Sequence, residues 1–422
     1  MSVQEGHIAV ASEPLTLDAA HEHLQSTALR DGPIAAVGLE LESHLVDLRD
    51  PGRRVGWDRL GAVLADVPAL SGGSGITVEP GGQVELSGPP AAGIAAAVKA
   101  LRADQRFLRA RLVDDGLGTA GLGADPARPV VRVNPGPRYA AMEDHFASVG
   151  NRSAGRAMMC STASLQVNLD AGQAAGWPDR VRLAHQLGPM LVALSACSPM
   201  LAGRSTGWRS NRQRIWTALD PARCGPMDYG RPTGDPARDW ATYALRAPVM
   251  LVHDRDTGEA EPVRGSTPFQ DWVTGLDQLN DRSPTLEDLD YHLTTLFPPV
   301  RLRGFLELRY IDAAPARWWP AIAAITAALL DDPRAAEAAA EATEPVAASW
   351  IAAARDGLGD PALRRAAIRC LAAAADVVPV ELSAEVQAYA ERVEAGRDLG
   401  AEMAERARRD GGLALLEEEA HA

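Results

Sequence analysis

Apolar and polar residues alternate with a period of two in five stretches of this chain, and such a period sends neighbouring side chains to opposite faces of a β-strand. In residues 34–48, Val37, Leu39 and Leu41 share one face while Glu40 and Glu42 share the other. Residues 76–79 and 83–87 set Val78 against Glu79, and Val84 and Leu86 against Gln83 and Glu85. The turn sequence Pro80-Gly81-Gly82 joins these two runs. In 164–170, Leu165, Val167 and Leu169 oppose Gln166, Asn168 and Asp170; in 304–311, Leu306, Leu308 and Tyr310 oppose Glu307 and Arg309.

Helical spacing fills much of the remainder. It predicts helices over 16–30, closed by Asp31-Gly32-Pro33, and over 94–113, 141–159, 178–202, 239–245 and 286–296. From residue 318 onward the chain reads as alanine-rich helix. The proline-rich stretch 126–137 is expected to be irregular. Residues 203–236 form an arginine-, glycine- and proline-rich loop, too long for an idle connection. No internal repeat is visible. The pattern predicts an α+β protein, an antiparallel sheet with helices on its apolar side. A single domain over 1–422 is expected, with a sheet-bearing core at about 34–315 and a helical scaffold at about 316–422.

If these strands share one sheet, its polar face is a wall of carboxylates and amides. Close carboxylates repel, so they either take up protons or gather cations. Oxygen ligands without histidine or cysteine favour magnesium over zinc. The competing reading is that each strand turns an ordinary polar face to water. Wet strand faces usually mix in Thr, Lys and Arg, whereas Glu40, Glu42, Glu79 and Glu85 are all carboxylates. Arg212, Arg223 and Arg309 are candidate clamps for carboxylate or phosphate, since the guanidinium fork matches both. Each has a plainer reading as a surface arginine, and Arg309 as an ion-pair partner that positions Glu307.

The net charge of -14 argues against nucleic-acid binding, which needs a basic face. Cys160, Cys197, Cys224 and Cys370 lack metal-ligand spacing, as expected of reduced thiols in a cytosol. The first twenty residues carry Glu5, Glu13 and Asp18 and no basic start before an apolar run, so no secretion signal is expected. The apolar runs fall short of a bilayer span, and a cytoplasmic protein without membrane contact is the expectation. Glycines at 71–75 and 81–82 lack the spacing of a nucleotide P-loop.

Over about residues 37–315 the chain resembles the glutamate-cysteine ligases of the plant and proteobacterial type. The matching segments are Val37-Gly38-Leu39-Glu40-Leu41-Glu42, Glu79-Pro80-Gly81-Gly82-Gln83-Val84-Glu85-Leu86-Ser87-Gly88, Gln166-Val167-Asn168-Leu169-Asp170, Ser198-Pro199, Arg212 with Ile215-Trp216-Thr217, His292-Leu293-Thr294-Thr295-Leu296-Phe297-Pro298, and Phe305-Leu306-Glu307-Leu308-Arg309. Within that family the chain is most similar to the actinobacterial branch that supplies γ-glutamylcysteine for ergothioneine synthesis.

The resemblance implies a glutamine-synthetase-like fold, its sheet curved into a funnel. It implies an ATP-dependent ligase of L-glutamate and L-cysteine that uses Mg2+ and passes through a γ-glutamyl phosphate. By the same resemblance Glu40, Glu42, Glu79, Glu85 and Glu307 hold metal, and Arg212 and Arg309 are catalytic. Arg138, Tyr139, Gln166, Asn168, Arg212, Trp216, Arg223 and Arg309 contact substrate or ATP. Two departures stand out: Gln166 occupies a position where bacterial relatives carry histidine, and Gly136 replaces a lysine. His292 reads as a core or capping histidine. A ligase for another amine, and a non-catalytic metal-binding or regulatory protein on the same fold, are the alternatives. Oligomeric state, metal count and feedback control are not legible in the sequence.

Overall fold

The computed structural model describes residues 14–227, 233–254 and 257–422. The acidic positions Glu5 and Glu13 lie outside the described residues, as does 228–232 of the long loop. Eight strands make the main sheet: β1 (Ala36–Asp47), β2 (Gly75–Val78), β3 (Gln83–Ser87), β4 (Ala91–Ala92), β5 (Leu117–Ala120), β6 (Ser164–Asp170), β7 (Val300–Leu302) and β8 (Phe305–Asp312). Their order is β7-β8-β6-β1-β3-β2, with β4 and β5 also pairing with β1, and every pairing is antiparallel. The expected α+β fold is present.

The two-residue period sorts the faces as anticipated. Leu39, Leu41, Val167, Leu169, Leu306 and Leu308 are buried in one apolar core with Leu101 of helix Ile94–Asp114, Leu191 of helix Gly188–Ser195 and Ile322 of helix Trp319–Asp331. That core continues into the C-terminal helices through Leu371, Val386 and Tyr389. The opposite face presents polar residues in aligned rows. Glu40 stands between Gln166 and Ser87, Glu42 opposite Glu85, and Asn168 between Gly38 and Glu307.

Several boundaries differ from the sequence reading. The helix expected over 141–159 is two, Pro137–Ser148 and Arg152–Ser161, separated at Gly150, whose φ of 82° suits glycine and ends the first helix. The helix expected over 178–202 is also two, Trp177–Gln186 and Gly188–Ser195. Gly188 lies against Trp350, whose ring would meet a β-carbon there at 2.0 Å. The long loop carries short helices at Asn211–Trp216 and Pro221–Cys224. Helix Trp57–Ala65 and strand β5 were not foreseen. Among the described residues no helix is long and apolar enough to cross a membrane.

Candidate active site

The polar face of the sheet forms the floor of a cavity of about 320 Å³. Glu40 and Glu42 come from β1, Glu85 from β3, Gln166 from β6, and Glu307 and Arg309 from β8. Glu79 enters from the turn between β2 and β3. That turn is fixed by Gly82, with φ of 83°, and by Gly81, where a β-carbon would lie 2.1 Å from the Cys160 carbonyl oxygen. The Gln83 amide donates to the Thr162 carbonyl at 2.7 Å, and the Pro80 carbonyl accepts from Val133 at 2.7 Å and Asn134 at 3.0 Å. The backbone of the turn is thereby tied to two neighbouring segments, and Glu79 with it.

Among the described residues four of the five glutamates lack a cationic partner. Among the described residues no arginine, lysine or histidine stands within ion-pair distance of Glu40, Glu42, Glu79 or Glu85. Their contacts are neutral donors: Asn168 to Glu40 at 2.8 Å, the Ser164 backbone and hydroxyl to Glu42 at 2.7 and 3.0 Å, and Thr77 and Ser87 to Glu85 at 2.9 and 2.8 Å. Burial, then the neighbouring Glu307 and Glu85, raises the Glu40 carboxyl. Burial, then Glu85, lifts Glu42 to about 7. Glu79 is raised well above the carboxylate range by burial and then by Glu42 and Glu85.

Glu307 has the opposite environment. Its side chain is 1% exposed; burial would raise its pKa, but Arg309 and Arg301 outweigh that and hold it near 2. Arg301 grips both carboxylate oxygens, and Arg309 Nη1 reaches the same Oε1 at 2.8 Å. Glu307 therefore anchors two arginines. The register between β8 and β6 shifts between Leu308 and Ile311, a bulge that redirects the strand beside Arg309. Arg309 Nη1 also donates to Gln166 Oε1 at 2.7 Å, so that oxygen is already engaged by a cation.

Arg212, only 3% exposed, donates through Nη2 to the Arg309 carbonyl at 2.5 Å. Its Nη1 has no hydrogen-bond partner among the described residues and lies 4.0 Å from Asp312. Burial lowers its pKa, opposed by Asp312 and Glu42. The cavity walls are completed by Arg138, Tyr139 and Trp216. Arg138 donates to the Thr294 hydroxyl at 2.8 Å, and Trp216 meets Phe297 edge-on at 5.9 Å. Burial, then Glu79, pushes the Tyr139 hydroxyl up to about 12.

Two candidates do not line this cavity. Asn168 lies beside it and orients Glu40. Arg223 is fully buried and donates to the Thr295 carbonyl at 2.8 Å, the Thr295 hydroxyl at 3.0 Å and the Pro248 carbonyl. Its own carbonyl accepts from Phe297 at 3.0 Å, so it braces the segment that carries Thr294 and Phe297. Arg301, Arg303 and a cluster of Met142, Met158 and Met159 also face the cavity and were not singled out from the sequence. The alternation of Val300 and Leu302 with Arg301 and Arg303 was the available signal for the first two. His292 is a core histidine, its Nε2 2.9 Å from the Ala244 carbonyl.

The residues present suit a hard divalent cation. The cavity lining offers carboxylate, amide and hydroxyl oxygens, with no histidine or cysteine, and among the described residues several of its acids lack a protein counter-charge. Among the described residues no three acidic, histidine or cysteine side chains stand together as a ready-made metal cage. Magnesium commonly takes one or two carboxylates and completes its shell with water and substrate phosphate, so an open arrangement of this sort is compatible with it.

Comparison with known proteins identifies the family. Residues 36–419 match the family described as glutamate-cysteine ligase family 2. The chain is 57% identical over 374 residues to the glutamate-cysteine ligase EgtA of Mycolicibacterium smegmatis, covering 89% of this chain and 88% of that protein. It is 53% identical over 378 residues to EgtA of Mycobacterium tuberculosis, covering 90% and 87%. A chloroplastic glutamate-cysteine ligase B of rice is 31% identical over 69% of this chain and 58% of its own. The fold is similar to that of the glutamate-cysteine ligase of Francisella tularensis, solved with AMP, at a TM-score of 0.55 and 13% identity over 93% of this chain and 88% of that one.

Proposed function

This chain belongs to glutamate-cysteine ligase family 2, and from that membership we propose that it joins the γ-carboxylate of L-glutamate to the amine of L-cysteine at the cost of ATP. The product is γ-L-glutamyl-L-cysteine, made in the cytoplasm as the first step towards ergothioneine. One observation carries the reading: a cavity of unpaired carboxylates faced by arginines, in a chain 57% identical to a protein named for this reaction.

A free carboxylate is a poor electrophile. In the first step an oxygen of the γ-carboxylate bonds to the terminal phosphorus of ATP, and the bond from that phosphorus to the ADP oxygen breaks. In the second, the cysteine amine attacks the acyl carbon, phosphate leaves, and the nitrogen gives up a proton. Such phosphoryl transfer needs positioning and charge compensation more than a protein nucleophile.

Glu40, Glu42, Glu79 and Glu85 are the residues that would hold magnesium, which when bound neutralises phosphate charge. Arg212 Nη1, buried and without a hydrogen-bond partner among the described residues, is suited to a substrate carboxylate, because an anion there would meet a donor that is already desolvated. Arg309, pinned between Glu307 and Gln166, presents its guanidinium in one fixed orientation and compensates charge on the transferring group. Asn168 positions Glu40, and Arg301 positions Glu307.

The test is ADP release by purified protein given ATP, magnesium and glutamate with a panel of amines. Release that depends on an added amine, with cysteine the best, is expected. A preference for a different amine would make it a ligase of another specificity, and no turnover with any amine would leave a non-catalytic binder.

A further inference from the structure

Arg54 does not line the carboxylate cavity, yet its guanidinium reaches the turn that carries Glu79. Nη1 donates to the Gly81 carbonyl at 3.1 Å, Nη2 to the Ser161 hydroxyl at 3.0 Å, and Nε to the Pro129 carbonyl at 2.9 Å. We infer that Arg54 is a positioning residue for the metal site, holding the 79–82 turn through Gly81 and so fixing where the Glu79 carboxylate stands. The inference rests on the reading of Glu79 as a residue that holds magnesium.

Glu79 depends on its backbone more than the other unpaired acids of the cavity do. Glu40, Glu42 and Glu85 each accept hydrogen bonds from neutral donors, whereas the Glu79 carboxylate accepts none among the described residues. Glu42 and Glu85 also repel it. The turn that must resist this push contains two successive glycines, which have little conformational preference of their own. Its shape therefore comes from outside. The backbone of Val133 and Asn134 holds the Pro80 carbonyl, and Arg54 is, among the described residues, the only side chain that donates to the Gly81 carbonyl.

Arg54 is itself fixed. Its Nη2 stands 3.2 Å from Asp125, which is fully buried and accepts from the Arg128 backbone at 2.9 Å and from Arg128 Nε at 2.8 Å. Burial would raise the Asp125 carboxyl, but Arg128, then His44 and Arg54, hold it at about 2, so this counter-charge persists at neutral pH. Arg128 keeps Asp125 paired even without Arg54, so removing Arg54 does not strand a buried charge. The same grip reaches the end of helix Arg152–Ser161, and just beyond it Ser164 donates its backbone N–H and hydroxyl to Glu42. One guanidinium thus ties together the segments that place two of the acids.

The test is Arg54→Met, read by the Mn2+ affinity of the protein with ATP present. That affinity should fall about tenfold, with the fold intact by circular dichroism. Coupling is the deciding readout. In a Glu79→Gln background, Arg54→Met should change Mn2+ affinity by less than about twofold, because the ligand it positions is already gone. A further tenfold loss there would mean general disruption of the cavity and would overturn the inference. Wild-type affinity in the Arg54→Met single variant, beside weakened binding in Glu79→Gln, would overturn it too and leave the metal reading standing. Unchanged binding in Glu79→Gln would instead remove the metal reading, and the inference with it. Should Arg54→Met not fold, Arg54→Lys carries the same test, since lysine keeps a cation beside Asp125 but lacks the fork that spans Gly81, Ser161 and Pro129. Wild-type Mn2+ affinity in Arg54→Lys would then overturn the inference.

Discussion

Glu42 on β1 stands directly opposite Glu85 on β3, two carboxylates paired across an antiparallel ladder with no protein cation at ion-pair distance from either among the described residues. Like charges in that position weaken a sheet. A fold that retains such a pair gives up stability where another charge is to be bound.

Glu42→Gln should therefore stabilise the protein freed of divalent cations. At pH 8 the ionised Glu42 works against burial and Glu85, and a carboxyl lifted from 4.5 to about 7 corresponds to about 3 kcal/mol. The variant should melt several degrees above wild type in a chelating buffer and lose at least about a hundredfold in kcat. Magnesium should raise the melting temperature of wild type more than that of the variant. A metal-free variant less stable than wild type would count against the repulsion argument.

Arg309→Lys should fold normally and lower kcat by about a hundredfold or more, because a lysine ammonium can replace Nη1, which alone bonds to Gln166 and Glu307, but not the planar guanidinium proposed to meet the transferring group. Steady-state kinetics beside a thermal melt would check this. Near-normal kcat would reduce Arg309 to a structural ion pair.

Arg223→Met separates a brace from a clamp. Loss of the buried guanidinium leaves the Thr295 and Pro248 carbonyls short of a donor, at a cost of about 2 to 4 kcal/mol. Urea unfolding should show that loss directly. Unchanged stability with a large rise in KM for glutamate would restore the substrate-contact role.

The strand alternation was legible because one face of the sheet is buried in a single apolar core, which makes the two-residue period strict in β1, β3, β6 and β8. Eleven of the thirteen candidate residues line the cavity, and six of them do so for the same reason, since polar faces on adjacent strands coincide once the strands pair; Glu79 arrives from a turn and Arg138, Tyr139, Arg212 and Trp216 from helices. Arg223 was not legible. The partners that define its role are carbonyls 25 and 72 residues away, a relation no local pattern carries. Strand β5, Leu117-Gly118-Thr119-Ala120, has no alternation of its own and becomes a strand by pairing with the second half of β1. The break before Gly188, by contrast, has a local cause, since Pro189 lacks the backbone N–H that a continuous helix would need.

His292 offers a pH test removed from the acidic wall. Burial, then Arg223, lowers it to about 3, so it stays neutral in the fold while an unfolded histidine takes a proton near 6.5. Stability from this group is present above pH 6.5 and is lost as pH falls towards its folded value. His292→Gln lacks that loss, so the stability gap between wild type and variant should narrow by about 2 kcal/mol between pH 7.5 and 5. Urea midpoints at the two pH values measure it, and a constant gap would mean that His292 is protonated in the fold.

The central claim is that these glutamates gather a divalent cation, and a titration with Mn2+ followed by electron paramagnetic resonance of the free ion tests it most directly. In the presence of ATP, wild type should bind the ion with saturable stoichiometry, and Glu79→Gln, folded by circular dichroism, should bind at least about tenfold more weakly. Superimposable isotherms for the two proteins would contradict the account.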